Sequence, residues 1–200
     1  DEQQLNIILK PLSVACEKAK QHVNLGRDLK KNGFNAVGKG PLPDLVRIFK
    51  KVVSTINKPD AAFLMIRTLA LSINNEINDP ETAYYLCDGL LKETNKDTSL
   101  DLINKLKDDR STLHENWKVL DLKAADGNLS LMIKIIDDML ANSTGANSAT
   151  ILAMKVDVES RRKKEKIKNW CYVGIAIVIG FFIWSDSSTT SSKSKNSSPI

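Results

Sequence analysis

The side chains able to do chemistry are few and scattered: His22 and His114, Cys16, Cys87 and Cys171, the acid pairs Asp108-Asp109 and Asp137-Asp138, and a Gly38-Lys39-Gly40-Pro41 run. A zinc centre would need imidazoles or thiolates at ligand spacing, as in His-Glu-x-x-His, and neither histidine stands in such a pattern. The glycine run lacks the spacing of a phosphate-binding loop and the Ser/Thr that should open the next helix. No Gly-x-Ser-x-Gly nucleophile turn occurs. Adjacent carboxylates could share acid–base work, but on amphipathic helices they read as solvated faces. The expectation is a non-enzyme, with no catalytic residue, metal or cofactor.

Three thiols at wide spacing make no disulfide framework, and there is no Cys-x-x-Cys. Cys16 and Cys87 read as small buried apolar residues, able to pair only if the body is extracellular. Cys171 stands at the edge of an apolar run, where it reads first as a spectator in the span and second as a candidate for reversible acylation.

That run is the most informative part of the chain. From Trp170 to Trp184 fifteen residues carry no charge, WCYVGIAIVIGFFIW. As a helix they rise about 22 Å, short of a hydrocarbon core of about 30 Å. Ile167 lengthens the run if Lys168 snorkels. Trp170, Tyr172 and Trp184 suit the two interfacial belts, with Ile175, Ile177, Ile179, Phe181 and Phe182 between them. The alternative, a buried core helix, is disfavoured by the polar tail SDSSTTSSKSKNSSPI, which offers no core partner.

Charge sets the orientation. Arg161, Arg162, Lys163, Lys164, Lys166 and Lys168 precede the run, and two lysines follow it. The positive-inside rule then keeps the body in the cytoplasm, with the six basic residues against anionic lipid headgroups. A short span suits a thin membrane such as the endoplasmic reticulum, or by analogy the mitochondrial outer membrane. A chain that begins at Asp1 raises the opposite expectation, a cleaved signal peptide and a lumenal or extracellular body. Asn128 and Asn142 would then be glycosylation acceptors.

Without the basic cluster and the tail, residues 1–160 hold 21 Lys/Arg against 22 Asp/Glu. A near-neutral body has no basic stripe for nucleic acid, so no such partner is expected. Its periodicity is helical throughout. Leu5, Ile8, Leu9, Leu12, Cys16, Ala19 and Val23 form one stripe, with Pro11 kinking or restarting the helix and Asn32-Gly33 stopping it. Residues 34–43 read as a loop. A helix from Pro43-Asp44 carries Leu45, Ile48, Phe49, Val52, Val53 and Ile56. AAFLMIRTLALSI, residues 61–73, is apolar nearly all round and reads as the central helix. Asp79-Pro80-Glu81 is a helix start, with a stripe of Tyr84, Cys87 and Leu91 behind it. Ile103, Leu106, Arg110, Leu113, Trp117, Leu120 and Ala124 make the longest seam, where Arg110 reads as a rim charge or a break. Asp126-Gly127 ends it, Met132 to Leu140 marks another helix, residues 141–150 read as a loop, and a last helix runs from about Thr150 into the span.

The expected fold is thus all-α: a bundle of six or seven helices over residues 1–148, a basic juxtamembrane helix over 149–169, a single-pass transmembrane helix over 170–184 and a disordered Ser-rich tail over 185–200. The function expected is that of a membrane-anchored interaction or adaptor module, with an anionic bilayer and a protein as partners. Two alternatives are a membrane-active bundle and a cell-surface or lumenal ectodomain. The layout resembles that of death-regulating and pore-forming bundles in architecture only, since Asn116-Trp117-Lys118 is followed by Val119 where the hallmark of that family is Asn-Trp-Gly-Arg.

Overall fold

A computed structural model describes the backbone of residues 2–57, 59–142 and 147–189, and their side chains except at 2, 147 and 174–189. Among the described residues eight α-helices follow in order: α1 Glu2–Lys20, α2 Leu25–Asn32, α3 Pro41–Thr55, α4 Asp60–Ser72, α5 Pro80–Glu93, α6 Leu100–Ala124, α7 Leu129–Asn142 and α8 Asn147–Thr189. A 3₁₀ turn, Gly33–Asn35, follows α2, and a π turn, Ile73–Ile77, extends α4. No strand occurs among the described residues.

Local chemistry sets most boundaries. Asp79 caps α5 by accepting from Thr82 N at 3.0 Å, with Pro80 at the first helical position, where a missing N–H costs nothing. Ser99 caps α6 by accepting from Leu102 N, and its own N–H donates to Asp60 at the start of α4, tying two helix origins together. Asn128 does the same for α7, accepting from Leu131 N at 3.1 Å. Gly33, at φ 54°, stops α2 as expected.

The helices α1 to α6 enclose one core. Phe34, Phe49 and Phe63 meet edge to face in a row, with centroids 5.8 and 5.0 Å apart, joining the turn after α2 to α3 and α4. Leu12, Leu45, Ile66, Leu86, Leu90 and Leu106 are buried around them. A second, separate apolar cluster joins α7 to α8 through Ile136, Met139, Ile151 and Val158, with Leu122 at the end of α6 against it.

The helix-rich bundle matches expectation in class, and several details differ. The stripe through Val23 is split: α1 stops at Lys20, Leu25 N bonds back to His22 O, and Val23 stands 93 % exposed. Pro11 lies within α1 and neither ends nor restarts it. α3 begins at Pro41, not at Pro43, because Gly40 at φ 136° provides the turn into it. α8 begins at Asn147 inside the expected loop, and its backbone continues to Thr189, so residues 185–189 of the expected tail are helical. Residues 190–200 lie outside the described residues.

The most surrounded helix is α5, not α4. It packs against α2, α4, α6 and both short turns, and Ala83, Cys87 and Gly89 keep its faces slim enough for close approach. α4 buries Ala62, Phe63, Ile66, Leu69 and Ala70 but leaves Leu64 exposed. Its one basic residue, Arg67, is held by Asp109 of α6.

Candidate functional site

α7 and α8 form an antiparallel hairpin. Beyond their shared apolar cluster, Lys155 of α8 pairs with Asp137 of α7 at 2.7 Å. Among the described side chains Val158 is the last buried one of α8, and Glu159 and Arg162 are half-buried. From Lys163 to Val173 every residue is exposed, so the helix leaves the body as a single shaft. At about 100° per residue the six basic side chains point all round it, a collar instead of a stripe. Arg161 pairs with Asp157 one turn back at 2.7 Å, and Lys168 lies 5.8 Å from the ring of Tyr172. Lys163, Lys164 and Lys166 make no ion pair among the described residues.

Trp170 and Tyr172, expected at an interface, are 76 % and 59 % exposed, and Cys171 is an exposed free thiol. The side chains of Ile175, Ile177, Ile179, Phe181, Phe182 and Trp184 lie outside the described residues. Among those described, no helix is long and apolar enough to cross a membrane.

The hairpin is seated on α6 by a polar joint. Asp138 of α7 accepts from Lys118 at 2.8 Å, and Lys118 Nζ also lies 3.8 Å from the ring centre of Trp117. His114, one turn earlier on α6, is buried with Nε2 3.6 Å from the same carboxylate oxygen. Its ring meets Tyr84 and Trp117 at 5.4 and 5.9 Å. Burial lowers the His114 pKa, the charges of Lys118 and Arg110 act in the same direction, and Asp138 opposes them. Burial alone would raise Asp138, but the Lys118 hydrogen bond and charge, with His114, hold it below the usual carboxylate range. The acid pair that reads as solvated therefore bridges two helices: Asp137 faces α8 and Asp138 faces α6.

A groove of about 450 Å³ runs between α1 and α4. Its walls carry Leu64, Met65 and Leu69, Cys16 is at its edge, and Lys20 closes one end by pairing with Glu76 at 2.7 Å. Among the described residues no group of three His, Cys, Asp or Glu is placed to hold a metal ion.

No protein-family model, curated protein or solved structure matches this chain.

Proposed function

We propose that the chain is a membrane-anchored helical interaction module without catalytic activity. The observation carrying this reading is the continuity of α8, which starts as half of a packed hairpin, is exposed at every residue from Lys163 to Val173 and keeps a helical backbone to Thr189. Rigid coupling of this kind would transmit the position of a membrane segment directly to the bundle. Each collar residue near anionic lipid contributes about 1 kcal/mol, so the collar holds the body close to the leaflet as well as fixing its side. The body is then cytoplasmic; Cys16 and Cys87 are unpaired buried thiols, a state suited to a reducing compartment. The groove between α1 and α4 is the surface offered to a protein partner.

Protease protection on membranes bearing the full chain, tagged at both ends, tests this reading. Digestion of the body with protection of the distal tag supports it. Protection of the body, with glycosylation at Asn128, would reverse the topology. A second reading, in which α4 leaves the bundle and inserts, draws on the exposed Leu64 and on Met65 beside it. Dye release from anionic liposomes by residues 1–160 tests that one.

A further inference from the structure

The seat of the α7–α8 hairpin combines two unlike parts. One is apolar, where Leu122 meets the cluster of Ile136, Met139, Ile151 and Val158, which shares no residue with the main core. The other is the polar joint of His114, Lys118 and Asp138. Only 7 % of His114 is exposed, and aromatic rings of α5 and α6 flank it. The groups facing it are Tyr84 from α5, Asp138 and Asn142 from α7, and Arg110 and Lys118 from its own helix; Lys107 and Asp108 line the small cavity beside it. One carboxylate, Asp138, thus already serves a lysine at 2.8 Å, and Arg110 is committed to Asp88. A charge at His114 would be the second cation on Asp138, close to the charge of Arg110 and between the rings of Tyr84 and Trp117.

We infer that His114 is a proton-operated latch: protonating its imidazole loosens the hairpin from α6 while the α1–α6 bundle stays folded. The imidazolium regains its hydration only when α7 lifts away, so acid favours the lifted state. The sign follows from the lowered pKa of the folded state. The seat is at full strength above the ordinary histidine value of about 6.5 and weakens as the pH falls from there towards the lower folded value. Asp138, held low, keeps its charge through that window, so His114 is the member of the joint that titrates there. Loosening stops at the hairpin because the main core is complete without it.

The experiment is hydrogen exchange on the full chain in phosphatidylcholine nanodiscs at about pH 7.5 and about pH 5.5, corrected for intrinsic rates. Peptides from α7 are compared with peptides from α5. The expected result is a several-fold loss of protection in α7 at the lower pH, with α5 unchanged. His114→Gln should abolish the difference, and His22→Gln should leave it intact. Parallel loss in α5 and α7, no loss in α7, or a loss that persists in His114→Gln would each overturn the latch. If His114→Gln does not fold, an NMR titration of the wild-type His114 ring decides: a pKa below about 6.5 that tracks α7 exchange supports the latch, and any other value or an unlinked titration rejects it.

Discussion

Arg110 donates from Nε to Asp88 Oδ1 at 2.8 Å, so the one charge that breaks the apolar seam of α6 is answered from α5. Its Nη2 donates to the Tyr84 hydroxyl at 3.2 Å, and its guanidinium carbon lies 5.4 Å from that ring. Asp88 also takes Lys92 from its own helix at 2.7 Å. The charge is part of the α5–α6 contact. Because 40 % of the Arg110 side chain stays exposed, solvent screens the pair. Arg110→Met should cost about 1 kcal/mol or less, and an Arg110/Asp88 double-mutant cycle in urea should return a coupling of similar size. A coupling near zero would mean that packing on Tyr84 carries the contact.

Gly89 is where α5 meets the turn after α2. A Cβ there would stand 2.5 Å from Phe34 Cδ1, and Phe34 is itself buried against Phe49. Gly89→Ala gains helix propensity but forces the ring to move. A net destabilisation of about 1–3 kcal/mol is expected from thermal melts, and Gly89→Ala combined with Phe34→Leu should recover part of it.

Asp79 satisfies two groups of Thr82, its N–H at 3.0 Å and its hydroxyl, and Thr82 is buried. Asp79→Ala should therefore cost more than an exposed cap, about 1–3 kcal/mol in the midpoint of chemical unfolding. Asp79→Asn keeps an acceptor and should cost less.

The three thiols should separate by reactivity. Burial pushes Cys16 and Cys87 up to about 12, whereas Cys171 is exposed. Since the thiolate is the nucleophile, maleimide at neutral pH should label one cysteine per native chain in detergent and three after unfolding. Mass spectrometry of tryptic peptides checks which. Rapid native labelling of Cys87 would mean that α5 is less enclosed than the packing indicates.

Where burial is one-sided, the period of the sequence is enough. Leu45, Phe49 and Val52 are buried as their spacing demands, and Asp79-Pro80 starts its helix through backbone chemistry confined to a few residues. The break after Lys20 is hidden because Val23 continues the stripe and no glycine or proline marks it; the chain turns where Lys20 meets Glu76 and Gly26 lies against Thr82. The central place of α5 is hidden for a related reason. Hydrophobic density marks α4, whereas position in the bundle follows from small residues such as Ala83 and Gly89, which add little to any stripe. The polar joint joins His114 to Asp138, far apart in sequence, and an acid pair gives no sign of which helices its members will face. In the collar the charges are legible from the sequence, while the exposure of Lys163, Lys164, Lys166 and Lys168 follows only from where α8 stops packing.

The two apolar clusters also divide the chain in time. The main core has its last member at Leu113, and the second begins at Leu122 and needs α7 and α8. Synthesis runs from the N-terminus, and units fold as they are completed. The bundle therefore takes shape while the hairpin is still being made, and the hairpin docks onto a surface that is already folded.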